Sequence, residues 1–388
     1  MLREKLTDKA AEDSTSDHAK VLVADASYEK IEPALDRVIE GLDLAAWYGG
    51  LKGKTVFIKP NMLGLFPPER HATTHPSLVK ALVKFFRDAG AEVTVGDNCG
   101  VGGYGLNQRV ARRSGIAAAS DGAYVNVAQD TAMASLRSRF IDQLPVSRAM
   151  LEADVLVSAP KMKTHGFTVV TGAVKNMFGI IAGAGKSRAH ASAAGVKDFG
   201  EILADIYAIR PPDLTIMDAV VAMEGGGPSS GDPRPLGNIL ASTNAVATDA
   251  LMCRIMGYPP QEVHHLKNAS RRGHGPLDES AIEVIGKIPA DGRFKLPLTV
   301  QRFRFTGRFV NQRFFRPVSR TKLYLDKKKC KNCKICVEGC PTGAMQTEEE
   351  FPGIDEEKCI RCFCCHELCP ESAWDVRGFF GRFIGRRS

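Results

Sequence analysis

The sequence predicts a large α/β domain with a mostly parallel sheet, followed by a small α+β domain built around metal-binding cysteines. Apolar runs rich in β-branched residues alternate with amphipathic segments from residue 20 to about residue 290. Nine of the eleven cysteines lie between Cys330 and Cys369. A chain of 388 residues, with 44% apolar and 25% charged residues, is long enough and apolar enough for both domains.

The order of the segments indicates how the large domain is built. The run "VLVAD" precedes an amphipathic stretch near residues 29–43, and "TVFIKPN" precedes "HPSLVKALVKFFRDAG", which ends on glycine as helices often do. The runs "EVTVGDN", "DVLVSAPKMKTH" and "DLTIMDAV" continue the strands, and "GNILAST" leads into the helical "AVATDALMCRIMG". Strands that alternate with helices are typical of a parallel sheet, which we expect over residues 20–290.

The remaining segments differ in composition from this domain. Residues 1–19 are polar and lack the apolar core of a signal peptide, so we expect a disordered N-terminal end. Residues 291–320 form a basic–aromatic linker, in which 301–320 carry six arginines, five phenylalanines and no acid, and residues 378–388 form a similar basic tail. These segments are suited to a membrane surface or an acidic redox partner, unless the phenylalanines pack beneath the small domain. Nucleic-acid binding is not expected, because no recognisable module accompanies the basic residues.

The cysteines indicate iron–sulfur clusters. No apolar run is long enough to span a bilayer, so we expect a cytoplasmic protein, in which stable disulfides are uncommon and crowded cysteines indicate metal. The segments "CKNCKICVEGCP" and "CIRCFCCHELCP" both follow C-x2-C-x2-C-x3-C-P, and they repeat with an offset of 29 residues. In this pattern, three cysteines of each run ligate one cube-shaped iron–sulfur cluster, and the fourth cysteine ligates the other cluster. We therefore expect two [4Fe–4S] clusters, one on a first quartet and one on a second quartet. The first quartet is Cys330, Cys333, Cys336 and Cys369, and the second quartet is Cys340, Cys359, Cys362 and Cys365.

Over roughly residues 321–377 the chain resembles a bacterial two-cluster ferredoxin. Zinc is the alternative metal, but zinc ligands usually come as paired C-x2-C units rather than four in one run. Cys364 is an extra thiol within the second run, at a position where a small residue suffices, so we predict that it is not a ligand. His366 is interpreted as a surface residue.

Polar side chains follow several predicted strands of the large domain. Ligands of open α/β sheets bind beyond the carboxyl ends of the strands, so these groups are candidates for a site that holds an anion. Each alone is equally typical of a turn or a helix cap. We predict that substrate binding involves Lys59, Asn61, Lys161, Lys175 and Asn176. The predicted catalytic residues are His165 as proton donor, with Lys163 and Asp218 beside it.

Nucleotide-binding motifs do not account for these residues. The segment "GIIAGAGKS" is similar to a phosphate-binding loop, but Ile180 stands where the first glycine of G-x4-G-K-[ST] is required. No G-x-G-x-x-G fingerprint occurs in a suitable context, so nicotinamide or flavin binding is unsupported.

The succession "IKPN", "HPSLVKALVKFFRDAGAEVTVGD", "PKMKTH", "TGAVKNMFG", "MEGGGPSSG" and "NAVATDALMCRIMG" resembles the family called domain of unknown function 362, over about residues 20–275. Members are frequently joined to a ferredoxin-like module. The resemblance implies an iron–sulfur-associated, intracellular protein and assigns no residue roles.

These observations give one functional hypothesis and one alternative. In the first, electrons from a redox partner protein pass through both clusters to an anionic small molecule or a metal centre in the cleft of the large domain. In the alternative, the chain is a non-enzymatic electron carrier or cluster-handling protein that docks on its partner.

Overall fold

The computed structural model describes residues 18–100, 104–289, 293–297, 300, 322–348 and 350–377. The predicted disordered end, the basic–aromatic linker and the basic tail fall outside these residues, apart from 18–19, 293–297 and 300. Within the described residues, no helix has the length and apolarity needed to cross a bilayer.

A nine-stranded sheet organises the large domain. Seven of its strands follow the order β11-β1-β10-β9-β6-β2-β3, and β7 extends the sheet by pairing with β9 and β8. The strands are β1 (Ala19–Asp25), β2 (Thr55–Pro60), β3 (Glu92–Val95), β6 (Val155–Ala159), β7 (Lys161–His165), β8 (Val169–Thr171), β9 (Leu214–Glu224), β10 (Asp232–Ser242) and β11 (Ile282–Ile285). A separate hairpin joins β4 (Thr131–Ser135) to β5 (Gln143–Ser147).

The predicted mostly parallel sheet is confirmed. The pairs β2–β3, β2–β6, β6–β9, β7–β9 and β1–β11 are parallel. Strand β10 is antiparallel to β9 and to β1. The connection between β9 and β10 spans only residues 225–231, which is long enough for an antiparallel hairpin and too short for a parallel crossover.

Helices cover both faces of this sheet. Successive side chains of a strand point to opposite faces, so Val21 and Val23 pack in one hydrophobic cluster while Leu22 and Ala24 pack in the other. The helices of the large domain are α1 (Glu32–Gly41), α2 (Ala45–Gly49), α3 (Pro76–Asp88), α4 (Tyr104–Arg113), α5 (Ile116–Ala119), α6 (Arg148–Glu152), α7 (Ala173–Asn176), α8 (Gly185–Ala191), α9 (Val196–Tyr207), α10 (Ala245–Ile255) and α11 (His264–Arg271).

The small domain keeps the sequence repeat in its backbone. Strand β12 (Lys322–Leu325) pairs with β15 (Trp374–Arg377), and β13 (Met345–Glu348) pairs with β14 (Phe351–Ile354). Its helices are α12 (Ile335–Glu338) and α13 (Cys364–Leu368). Residues 29 positions apart share a left-handed conformation: Asn332 with Arg361, Lys334 with Phe363, and Gly343 with Ser372. The predicted small α+β domain after the α/β domain is thus confirmed.

Candidate functional site

The small domain contains two cavities, each lined by four of the repeated cysteines. One cavity is lined by the first quartet and the other by the second quartet. Backbone N–H groups approach three of the sulfurs: Asn332 N lies 3.4 Å from Cys330 Sγ, Met345 N 3.4 Å from Cys340 Sγ, and Ala373 N 3.3 Å from Cys369 Sγ. Such N–H groups favour the thiolate form that ligates iron. All eight thiols are free, so this donor set fits a [4Fe–4S] cluster in each cavity.

A larger space, the central cavity, lies where the carboxyl ends of the parallel strands meet the small domain. Its volume is about 60 Å³. Helix α13 of the small domain closes one side with Cys364, Glu367 and Leu368. The large domain contributes residues that follow β2 and β3, one residue within β7, and residues of α7, of α8 and of the segment between these helices. They include Asn61, Asp97, Asn98, Lys163, Lys175, Asn176, Gly179, Lys186 and His190.

One buried ion pair borders this cavity. Lys59 Nζ lies 2.7 Å from Asp97 Oδ1, and both side chains are buried. Burial lowers the pKa of Lys59, and the charge of Asp97 opposes that shift. Gly179 passes so closely that a Cβ there would lie 1.9 Å from Asp97 Oδ1, which explains why glycine occupies this position.

Three further lysines meet at the central cavity without an ion-pair partner among the described residues. Lys163 Nζ donates to Asn61 Oδ1 at 2.8 Å and to the Ala72 carbonyl at 2.6 Å. Lys186 donates to the carbonyls of Asn98 and Cys99, while Lys175 is half-buried. Burial, followed by repulsion from Lys175, holds the pKa of Lys163 well below its usual range. Burial also lowers the pKa of Lys186 to about 8. An anion would relieve this concentration of positive charge.

His165 and Glu367 meet across the boundary between the two domains. The Phe167 and Thr168 N–H groups donate to His165 Nδ1 at 3.1 and 3.3 Å, which assigns the ring proton to Nε2. Nε2 lies 3.2 Å from Glu367 Oε1, without the alignment of a hydrogen bond. Burial lowers the pKa of His165 well below its usual range and raises the pKa of Glu367 to about 7. This pair can therefore hold a proton that is exchanged near neutral pH.

Hydrogen bonds to the buried Asp249 carboxylate hold the first residues of helix α7 in place, and the same helix carries Asn176. Asp249 accepts hydrogen bonds from the Ala173 and Val174 N–H groups at 2.6 and 2.9 Å. Asn176 Nδ2 donates to Ser158 Oγ at 3.0 Å and to the Lys59 carbonyl at 3.2 Å. The Asn176 amide oxygen accepts from Asn61 Nδ2 at 3.4 Å. These bonds connect the strand ends to the helix that carries Lys175.

Lys161 and Asp218 lie apart from the central cavity and bind each other. Lys161 Nζ is 2.8 Å from Asp218 Oδ2 and 2.8 Å from the Tyr28 hydroxyl. Asp218 also accepts from the His75 N–H at 2.9 Å. Neither Lys161 nor Asp218 is among the residues that line the cavity. The pairing of β7 with β9 changes register between Lys161 and Lys163, so the two lysines reach different surroundings.

Sequence reasoning missed several residues that line the central cavity. Lys186 belongs to the imperfect phosphate-loop segment, and for Cys364 the sequence predicts only a thiol that is not a ligand. His190 belongs to no motif, and Glu367 lies within the second cysteine run, where the motif assigns it no role. The repeated pattern accounts for eight cysteines, and Cys364 is a ninth. This extra thiol was the sequence signal that could have drawn attention to α13.

The fold and the cysteine sites define an α/β protein joined to a [4Fe–4S] electron-transfer module. A family model described as domain of unknown function (DUF362) matches residues 56–254, and one described as a 4Fe-4S dicluster domain matches residues 322–370. The chain belongs to the DUF362 family and carries an iron–sulfur module after the family domain, as its sequence motifs predicted.

The chain is also similar to individual proteins. The chain is 31% identical over 234 residues to a thylakoid-associated protein of Synechocystis sp., which covers 58% of this chain and 70% of that relative. Similar solved structures include the lactate racemase apoprotein of Thermoanaerobacterium thermosaccharolyticum and a protein from Thermotoga maritima, each 14% identical, with TM-scores of 0.39 and 0.37. They cover 67% and 63% of this chain, which spans only 58% and 59% of their lengths.

Proposed function

We propose that this protein uses two [4Fe–4S] clusters to deliver single electrons to an anionic substrate bound in the central cavity. The observation that carries the proposal is the position of α13. The turn of chain that holds Cys365 of the second quartet also closes the cavity with Cys364 and Glu367. The second quartet therefore borders the space in which three lysines lack ion-pair partners among the described residues.

Electrons enter through the first quartet in this proposal. Cys333 is its exposed member. Five exposed lysines surround it in sequence: Lys327, Lys328, Lys329, Lys331 and Lys334. A ring of positive charge around an exposed cluster ligand attracts a redox partner with an acidic surface and raises the rate of encounter.

Each group in or beside the cavity has a distinct role in this scheme; His165 is not a lining residue and acts through its contact with Glu367. Lys163, Lys175 and Lys186 bind and orient the anion. His165 and Glu367 exchange the proton that accompanies reduction, because burial brings the pKa of Glu367 to about 7. The clusters supply the electrons when bound. Lys161 and Asp218 hold β7 against β9 and support the cavity from outside.

Anaerobic turnover tests the proposal. Dithionite-reduced protein freed of excess reductant is mixed with a panel of carboxylate and phosphate metabolites, and cluster reoxidation is followed by visible absorbance. We expect at least one anion to reoxidise the clusters, and we expect Lys163→Met to abolish the reaction while eight iron atoms remain. Lys84→Met, at an exposed site on α3, is the matched control. If no anion reoxidises the protein and an acidic partner alone accepts its electrons, the chain is an electron carrier and the substrate proposal is wrong.

A further inference from the structure

Three potential metal ligands meet between the second quartet and the central cavity. One ligand atom each of His190, Cys362 and Cys364 lies within 4.8 Å of the others. Cys364 is only 3% exposed, and it lines both the central cavity and the cavity of the second quartet. It is the one thiol of this run that the two quartets do not use.

The imidazole of His190 is buried, and one of its ring nitrogens has no hydrogen-bond partner among the described residues. Its side chain is 8% exposed, and the nitrogen without a partner is Nδ1. The ring stacks on Phe199 with centroids 4.3 Å apart, and it meets Phe178 edge to face at 5.5 Å. A buried imidazole nitrogen without a partner is costly, and a metal ion is one way to satisfy it.

The donor set itself selects a class of metal. Two cysteine sulfurs and one histidine nitrogen form the protein ligands of some catalytic zinc sites, where the fourth position stays open to a small molecule. Sulfur ligands favour thiophilic ions over magnesium or calcium. Metal binding would deprotonate Cys364, and Lys175 and Lys186, which line the cavity, would offset the added negative charge.

We infer that His190, Cys362 and Cys364 bind one thiophilic divalent cation in the wall between the second quartet and the central cavity. This inference rests on the proposed function, because Cys362 then serves both the [4Fe–4S] cluster of the second quartet and the added ion as a bridging thiolate. The fourth coordination position would stay open to a small ligand. Because His190 and Cys364 line the same cavity as Lys163, Lys175 and Lys186, the ion could bind an anionic ligand beside the electron-transfer module.

Metal counting in the full-length protein tests the inference. After anaerobic reconstitution with iron and sulfide, the protein is titrated with Co²⁺ and then with Zn²⁺, and metals are counted by mass spectrometry. We expect eight iron atoms, eight sulfides and one further equivalent of the added ion. Bound Co²⁺ should show the intense near-ultraviolet bands of a thiolate complex.

Substitutions separate this site from the clusters. Cys364→Ala and His190→Gln should each weaken Co²⁺ binding at least about tenfold while leaving eight iron atoms in place. Cys253→Ala, at a buried thiol in the core of the large domain, is the matched control and should bind Co²⁺ normally. A chain with eight iron atoms and no further ion, or an extra ion that persists in both variants, would overturn the metal site alone. Failure to assemble eight iron atoms in the unmodified chain would instead overturn the proposed function.

Discussion

The buried ion pair of Lys161 and Asp218 allows a quantitative test of whether these two residues support the fold or take part in the reaction. Both side chains are fully buried, and Asp218 also accepts hydrogen bonds from Tyr28 and His75. Asp218→Asn leaves the Lys161 ammonium buried without a carboxylate. Removing one partner of such a pair costs about 3–5 kcal/mol of folding free energy. We expect a loss of this size for the large domain, measured by anaerobic urea unfolding with Trp47 fluorescence in a Trp374→Phe background.

The double variant Lys161→Met, Asp218→Asn should recover most of that loss, because replacing both charges removes the unpaired one. The exposed pair of Lys84 with Asp88 provides the control, and Lys84→Met should leave stability unchanged. Reoxidation by the anionic substrate should survive in the double variant, since neither residue lines the central cavity. A loss of stability below about 1 kcal/mol in Asp218→Asn would refute the energetic reasoning. If a stable double variant no longer reduced the substrate, Asp218 would again have to be counted among the catalytic residues.

Three further predictions concern pH, cluster assembly and partner docking. Burial raises the pKa of Asp249 to about 7, so the folded state binds this proton more tightly than the unfolded state. The free energy of unfolding should therefore fall as the pH rises from about 4 to about 7, and Asp249→Asn should flatten that profile in urea titrations at a series of pH values. Cys340→Ala should remove the same cluster signal as Cys359→Ala, whereas a match to Cys330→Ala in electron paramagnetic resonance would contradict the interleaved quartets. The double variant Lys331→Glu, Lys334→Glu should be reduced more slowly by an acidic donor protein, and the rate should depend less on salt in stopped-flow measurements. Lys52→Glu, on the large domain, is the control. Unchanged rates in the double variant would exclude docking at the first quartet.

Local sequence patterns predicted the architecture well, because hydrophobic periodicity and cysteine spacing are properties of short stretches of chain. The alternation of strands and helices identified the mostly parallel sheet, and the cysteine spacing identified the iron–sulfur module. The expectation that polar residues after the strands meet at one edge of the sheet brought Asn61 and Lys163 together, and both line the cavity. Their roles in binding and catalysis remain predictions.

Tertiary docking accounts for what the sequence could not predict. Cys364 and Glu367 reach the cavity only because the small domain packs against strand ends that lie about 200 to 300 positions earlier in the chain. No periodicity describes such a contact. Lys161 was grouped with Lys163 because they are two residues apart, yet the irregular register of β7 against β9 gives Lys161 a different partner. A register shift depends on the neighbouring strand, which the local sequence does not specify.

In the proposed function, the positive charges at the cavity couple the binding of the anionic substrate to electron transfer. Reduction adds negative charge to the second quartet's cluster, and the ammonium groups of Lys163, Lys175 and Lys186 stabilise the reduced form. An anion in the cavity neutralises those same lysines, so it must lower the reduction potential of that cluster. By thermodynamic linkage, the reduced protein must then bind the anion more weakly than the oxidised protein, by the same factor. In the proposed scheme, the substrate therefore makes the cluster a stronger reductant when it binds, because it neutralises the lysines that recruited it.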